Sequence, residues 1–276
     1  PPLSTRQIFL VFHTKDLKPG RHGGELLIYP LNKGYAPKKV AVRLEVWPFD
    51  IPTKADLGVH FYDYSSTDYH LQDLAAHKIN TFLTADHGSL KLDKDGKLVH
   101  DMKAAVASTQ RKLEYGRKGW AYGMCREFHV WATTKANMPF MSPQYQAAFR
   151  ELVRSYVEAL NQIGLQEHDI YVCAWDEVKG QNVEICAALL KLLREVAPKL
   201  KVSLTTVCSP KERESFVGLV NVWVPAGGYI WDEKFFGARK AAGDEVWAYT
   251  CSTPVRGQLP LAYFRHFGWR AEKWFA

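Results

Sequence analysis

The beginning of the chain has the alternating pattern of antiparallel strands. Val42, Leu44 and Val46 alternate with polar residues, which predicts a strand with one buried face, because successive side chains on a strand point to opposite sides. Similar short runs bounded by turn residues complete the predicted set, which is residues 7–13, 24–29 and 40–47. Three strands do not make a stable domain by themselves. We therefore expect residues 1–54 to be the C-terminal strands of an N-terminal β-sandwich domain.

From residue 57 onward, strand patterns alternate with helical patterns. The predicted strands are residues 57–62, 80–85, 121–130, 169–175, 201–207, 219–224 and 245–251. The predicted helices are residues 66–77, 102–118, 142–163, 183–197, 211–217 and 231–242, with a last segment from residue 260. This α/β alternation predicts a parallel sheet covered by helices. We expect residues 55–276 to form a (β/α)8-type barrel that lacks its last unit, truncated at the C terminus. A doubly wound open sheet is the alternative, although no GxGxxG or P-loop motif follows a strand.

Composition narrows the range of functions. Of the 276 residues, 47% are hydrophobic and 13% aromatic, which is typical of a folded globular protein. The net charge is +7, but the basic residues are scattered, so we expect no nucleic-acid partner. The sequence contains no run of 18 apolar residues, so we predict no membrane-spanning helix in it. The five cysteines include no CxxC pair, so buried free thiols are expected. Nine tryptophans offer aromatic faces of the kind that pack against sugar rings. The sequence indicates no oligomeric state.

The adjacent acids Asp176 and Glu177 are the main candidates for chemistry. They follow the apolar run at residues 170–175, where a buried strand ends. At the carboxyl end of a strand both side chains can turn into one pocket, and active sites of α/β barrels lie at that edge. Carboxylates in such a position serve as general acids and bases. The alternative is a pair of acids that stabilises the first turn of the following helix.

Other polar and aromatic residues follow the predicted strands at the same edge. The candidate substrate-binding residues are Asp86, Arg126, His129, Trp175, Trp223, Tyr229, Trp231, Trp247 and Tyr249. A metal site formed by Asp86, His87, Glu127 and His129 is a weaker alternative, because their spacing matches no recognised ligand motif.

Two neighbouring carboxylates among aromatic residues suggest glycoside hydrolysis. The last strand, residues 245–251, ends without an acid, so a double-displacement mechanism has no nucleophile at that position. An Asp-Glu pair suits catalysis by the substrate's own 2-acetamido group. Asp176 would hold the acetamido N–H while Glu177 acts as acid and then as base. A catalytically inactive carbohydrate-binding or scaffold barrel is the alternative.

Three motifs resemble glycoside hydrolase family 123, whose members include β-N-acetylgalactosaminidases. They are residues 171–178, 220–225 and 245–251, and a tryptophan- and arginine-rich segment at residues 263–270 is also similar. The resemblance covers most of the chain from about residue 57. Val178 stands where the family commonly has proline.

The resemblance implies a retaining β-N-acetylhexosaminidase that favours N-acetylgalactosamine, with Asp176 and Glu177 as the catalytic pair. It further implies a glycan or glycoconjugate substrate, no cofactor, and a secreted or periplasmic location.

Overall fold

The computed structural model describes residues 10–31, 34–50, 58, 67–84, 88–115, 118–121, 123–225 and 232–249. The side chains of residues 81–84 and 118–121 are outside this description. The chain divides into two compact units, Pro1–Lys54 and Ala55–Ala276. The first contains an antiparallel hairpin of β1 (Gly20–Ile28) and β2 (Lys38–Val46). Residues 10–13 form no strand, so the described part of the prediction at residues 7–13 is wrong.

Among the described residues, the second unit is built on a six-stranded sheet in which the paired neighbouring strands are parallel. Its strands are β3 (Thr81–Thr84), β6 (Lys118–Ala121), β7 (Tyr171–Val178), β8 (Lys201–Thr206), β9 (Val222–Pro225) and β10 (Glu245–Val246). Their order across the sheet is β10-β9-β8-β7-β6-β3. The strands β4 (Ser89–Leu92) and β5 (Leu98–Asp101) form a separate antiparallel hairpin that the sequence did not predict.

Helices connect the strands of this sheet. They are α1 (Asp68–Ala76), α2 (Lys103–Leu113), α3 (Met124–Thr134), α4 (Pro143–Asn161), α5 (Asn182–Val196), α6 (Pro210–Glu214) and α7 (Glu233–Ala241), with a 3₁₀ turn at Glu167–Asp169. The mixed α/β class with a parallel sheet is confirmed. Closure into a barrel, and a sandwich around the first hairpin, stay predictions. Within the described part of the chain, no helix combines the length and apolar character needed to cross a bilayer.

The strand predicted at residues 121–130 is wrong. The strand β6 ends at Ala121, and α3 follows it. Met124, Cys125, Phe128 and Ala132 are the buried residues of α3. Their spacing of one, three and four residues places them along one side of a helix, whereas a strand would need alternate positions.

The two faces of the sheet have different surroundings. The helix-covered face carries most of the core, including Val172, Val202, Leu204 and Trp223. On the opposite face, which we call the second face, a smaller cluster is formed by Tyr171, Val222 and Val224, against which Trp247 and Tyr249 pack. The candidate chemistry lies at the carboxyl end of this second face.

Candidate active site

The strand β7 carries the Asp-Glu pair at its carboxyl end. Its first five residues, Tyr171–Trp175, are buried, whereas Asp176 is half-buried and Glu177 is exposed. The strand lies between β6 and β8 in the sheet. The apolar part therefore anchors β7, and the two carboxylates emerge where the strand ends.

Irregular backbone changes the direction of side chains along β7. The register with β8 shifts between Cys173 and Trp175 and again between Trp175 and Val178. Such bulges add a residue to one strand and interrupt the alternation of its side chains. Glu177 has a φ of 52°, in the left-handed region that residues other than glycine rarely adopt. Two consecutive side chains can thus leave the strand on the same side.

Glu177 is turned towards the second face by a hydrogen bond. The hydroxyl of Tyr249 donates to Glu177 Oε1 over 2.9 Å. The backbone N–H groups of Glu245, Trp247 and Tyr249 donate to carbonyls of β9 and of residue 221, so these three residues present their side chains on one face. Because Tyr249 packs against the cluster of the second face, Glu177 lies at the upper edge of that face.

The charge of Asp176 affects the pKa of the buried Cys173 thiol, which precedes it on β7. Burial raises the pKa of Cys173 to about 11, and the negative charge of Asp176 contributes to the increase. Hydrogen bonds from the backbone of Gly123 and the side chains of Ser203 and Thr205 oppose this rise. By strand alternation Ser203 and Thr205 face away from Val202 and Leu204, towards the second face. The charge of Asp176 therefore acts within electrostatic reach of Cys173, which also contacts Ser203 and Thr205.

His129 and Trp175 form a separate aromatic contact beside the pair. Their rings are 6.4 Å apart, and His129 Nδ1 shares a 2.9 Å hydrogen bond with the Tyr145 hydroxyl. Burial lowers the pKa of His129, so its imidazole is neutral at physiological pH. Phe140, an exposed ring, contacts the edge of His129 at 5.5 Å.

Arg126 is not at a strand end, contrary to the sequence prediction. It lies in the first turn of α3, where its Nη1 donates to Glu127 Oε1 over 2.8 Å. Both side chains remain substantially exposed, at 48% and 37%. The guanidinium is thus already paired with a carboxylate on its own helix.

Trp223 belongs to the core, and its assignment to the sugar-binding floor is wrong. Its neighbours Val222 and Val224 face the second side of the sheet, so Trp223 faces the helices. Its Nε1 donates to Asp244 over 2.9 Å, and its ring meets the edge of Phe235 at 5.1 Å. The side chain is fully buried, and a sugar cannot pack against it.

The remaining candidates fall into two groups. Trp247 is half-buried on the second face, below Tyr249. Asp86, Tyr229 and Trp231 lie outside the described residues, as do His87 of the alternative metal site and the last cysteine, Cys251. Among the described residues no three His, Cys, Asp or Glu side chains are grouped to hold a metal ion.

Two polar groups on the second face were not singled out from the sequence. Cys173 and Glu245 both stand on the second face, two residues from Trp175 and Trp247 in the chain. Glu245 could have been found, because it precedes Trp247 and Tyr249 with the two-residue period of a strand face. Nothing in the sequence indicated the register shifts between Cys173 and Val178.

Comparison with known proteins supplies the family. The sequence model of the glycoside hydrolase 123 catalytic domain matches residues 100–268. Among solved structures, a family 123 glycoside hydrolase from Clostridium perfringens, described in connection with glycolipid glycan hydrolysis, is similar at 13% identity with a TM-score of 0.56. The alignment covers 87% of this chain and 51% of that one, so this chain spans about half the length of the relative. At that identity the similarity concerns the fold.

Two β-glucuronidase structures align less well. The enzyme from Bacteroides uniformis gives 11% identity and a TM-score of 0.33, covering 64% of this chain and 21% of that one. The enzyme from Parabacteroides merdae gives 9% identity and a TM-score of 0.32, covering 83% and 29% respectively. No curated protein sequence matches this chain significantly.

The family match extends over more than half of the chain. Asp176 and Glu177, and Tyr249, which donates a hydrogen bond to Glu177, all lie within the matched residues. The chain therefore belongs to glycoside hydrolase family 123.

Proposed function

We propose that this chain carries the catalytic domain of a retaining glycosidase that removes β-linked N-acetylhexosamine, with N-acetylgalactosamine favoured. The observation that carries the proposal is the pair at the end of β7, in which Glu177 accepts a hydrogen bond from Tyr249 and Asp176 lies beside it. Family membership supports the glycosidase class.

In the first chemical step the acetamido oxygen of the sugar attacks C1, and the bond from C1 to the leaving oxygen breaks. Glu177 donates its proton to that oxygen, as a general acid. Asp176 accepts a hydrogen bond from the acetamido N–H, where positive charge develops as the oxazolinium ring forms. A fixed carboxylate close to that charge stabilises the transition state more than the ground state.

In the second step water attacks C1 from the face that the leaving group vacated. Glu177, now ionised, takes a proton from this water, and the ring opens to regenerate the acetamide. Two inversions at C1 give net retention. The Tyr249 hydroxyl holds Glu177 Oε1 in place, since general acid–base catalysis needs the carboxyl within hydrogen-bond reach of both oxygens.

Two arguments support the substrate class. The described part of strand β10 and its continuation, residues 245–249, presents Trp247 and Tyr249 but no acid after Glu245, so the nucleophile is assigned to the substrate's own acetamido group. The Clostridium perfringens relative is described for the hydrolysis of glycolipid glycans, and glycolipid glycans contain N-acetylhexosamines. His129 beside the pair, and Trp247 below Tyr249, are proposed to contact the sugar. Trp175 is buried in the same core as Trp223, so its proposed part is to support the His129 ring.

The test is hydrolysis of 4-nitrophenyl β-N-acetylgalactosaminide and β-N-acetylglucosaminide by the full-length protein. Glu177→Gln should lower kcat by roughly 10²- to 10⁴-fold. The loss should be larger for an unactivated disaccharide, because a poor leaving group needs the proton more. Asp176→Asn should weaken binding of a thiazoline inhibitor that mimics the oxazoline.

Glu184→Gln is the matched control, since Glu184 is an exposed glutamate on α5. It should leave kcat unchanged. Binding of acetamido sugars without hydrolysis by the wild-type protein would instead favour an inactive carbohydrate-binding domain. Failure to bind thiazolines together with failure to cleave any acetamido glycoside would exclude the substrate-assisted mechanism.

A further inference from the structure

The carboxylate of Glu245, at the beginning of β10, accepts hydrogen bonds from several donors on the second face. Glu245 Oε1 accepts a hydrogen bond from the Tyr171 hydroxyl over 2.8 Å, and Glu245 Oε2 accepts one from Trp247 Nε1 over 3.0 Å. The Lys201 ammonium lies 3.2 Å from Glu245 Oε1. Both members of that ion pair are mostly buried, at 27% and 25% exposure. Hydrogen bonds to an ionised acceptor in partly buried surroundings are stronger than neutral ones.

The two donor rings are also packed against each other. Tyr171 stacks on Trp247 with the ring centres 5.6 Å apart and the planes inclined by 29°. Tyr171 is 5% exposed. Burial, and then the hydrogen bond to Glu245, raise the pKa of its hydroxyl, so Tyr171 remains a donor throughout the physiological range. The ring of Trp247 is therefore fixed at its nitrogen by Glu245 and over its face by Tyr171.

This arrangement is connected to the catalytic pair along one strand face. The N–H groups of Glu245, Trp247 and Tyr249 donate to the carbonyls of residues 221, 223 and 225, at 2.9, 2.8 and 3.4 Å. Side chains at alternate positions share a face and lie about 7 Å apart along the strand. At the upper end of this row the Tyr249 hydroxyl donates to Glu177 Oε1. The contact of Tyr249 is the longest of the three, so the backbone is held more closely at Glu245 and Trp247 than at Tyr249.

We propose that Glu245 is a positioning residue for the reaction, acting through Trp247 and the shared strand face to place the Tyr249 hydroxyl against Glu177. This inference rests on the proposed function. The proposed role of Glu245 is exerted through Trp247 and not by contact with the sugar. A displacement of about 1 Å at a catalytic group is enough to slow a reaction substantially, and the strand of Tyr249 continues directly from the residues that Glu245 holds.

The first test compares Glu245→Ala and Glu245→Gln in the full-length protein. The alanine variant removes the acceptor for both rings and leaves Lys201 without this partner, so kcat should fall at least tenfold while KM changes less than threefold. Glutamine keeps one acceptor oxygen and should restore most of kcat. Glu195→Ala is the control, because Glu195 also forms an ion pair, with Arg150 at 2.7 Å, but on the helices α4 and α5. It should leave kcat unchanged.

A double-mutant cycle with Tyr249→Phe separates positioning from general loss of structure. If Glu245 acts through Tyr249, removing the hydroxyl should cost several-fold less in the Glu245→Ala background than in the wild type. A purely structural role of Glu245 gives independent, multiplicative losses. An additive cycle, or a KM increase with unchanged kcat, would overturn the inference.

Crystal structures of the wild type and of Glu245→Gln and Glu245→Ala give a readout that does not need activity. The distance between the Tyr249 hydroxyl and Glu177 should increase in the alanine variant, and the tilt between Tyr171 and Trp247 should change. If that distance is unchanged, the inference is wrong even when the enzyme is active. If the distance changes but the wild type cleaves no acetamido glycoside, the proposed function fails and the positioning of Glu177 by Glu245 stands.

Discussion

At the scale of single residues, the backbone of Glu177 decides whether two adjacent acids can share a site. In a regular strand Asp176 and Glu177 would point to opposite faces. The φ of 52° at Glu177 and the two register shifts in β7 remove that restriction. A non-glycine residue in the left-handed region costs on the order of 1 kcal/mol. Such strain is often found at functional sites, and here it accompanies the hydrogen bond to Tyr249.

Replacing Glu177 by glycine should therefore give a more stable protein than replacing it by alanine. Both variants lack the carboxylate, so the comparison isolates the backbone, and glycine adopts positive φ without steric cost. We expect the free energy of unfolding of Glu177→Gly to exceed that of Glu177→Ala by about 1 kcal/mol. Urea denaturation measures this difference.

Lys191, an exposed position within α5, provides the control. There the order should reverse, with alanine more stable than glycine by roughly 0.5–1 kcal/mol, because a helix interior disfavours glycine. Equal stabilities of the two variants at position 177 would mean that the backbone there is not strained.

At the scale of elements, the long helix α4 was predicted well, whereas the short strands β4 and β5 were not predicted. Ser142 was expected to begin α4, and its Oγ accepts from the N–H of Tyr145 at 3.2 Å, with proline at the first helical position. The hairpin β4–β5 was missed because each strand has only four residues. The turn between the two strands could have been recognised from Asp93, because aspartate is a typical turn residue. In the structure Asp93 Oδ1 accepts from the N–H groups of Asp95 and Lys97.

The short helix α6 stabilises the loop that follows strand β7. Glu212 accepts hydrogen bonds from the N–H and the hydroxyl of Ser209, both over 2.7 Å, and from the N–H of Gly180 over 2.9 Å. Gly180 lies two residues after the end of β7. The capping interaction of α6 and the loop after β7 therefore depend on the same carboxylate.

Glu212→Gln should lower the denaturation midpoint at neutral pH more than Glu214→Gln, an exposed position on the same helix. The hydrogen bonds from Ser209 and then Gly180 lower the pKa of Glu212. A carboxyl whose pKa is lower in the folded state stabilises the fold above its ordinary pKa, and this contribution disappears as the pH falls through the lower value. The difference between wild type and Glu212→Gln should therefore shrink on acidification. A difference that does not depend on pH would contradict the role of the ionised carboxylate.

At the scale of the whole molecule, the sequence indicated which residues share a face but not which face they occupy. The strand-end rule selected Asp176 and Glu177 together with Trp247 and Tyr249, and the last two pack against one cluster in the structure. The same rule placed Trp223 in the site, although it packs on the helix-covered face. Alternation shows which residues of a strand share a side, but it does not show which of the two sides faces the helices. Only the packing of β9 against its neighbours determines that Val222 and Val224, rather than Trp223, belong to the second face.

The two faces should respond differently to the same substitution. Val202 is fully buried on the helix-covered face, and Val224, 6% exposed, belongs to the cluster against which Tyr249 packs. Val202→Ala and Val224→Ala should each lower the free energy of unfolding by roughly 1–3 kcal/mol, from lost burial and the cavity left behind. Only Val224→Ala should also lower kcat, several-fold, because Tyr249 loses packing beneath its ring while its hydroxyl holds Glu177. Denaturation curves and kcat, measured where both variants are fully folded, check this. Equal effects on kcat would show that the second face contributes stability alone and does not position the catalytic pair.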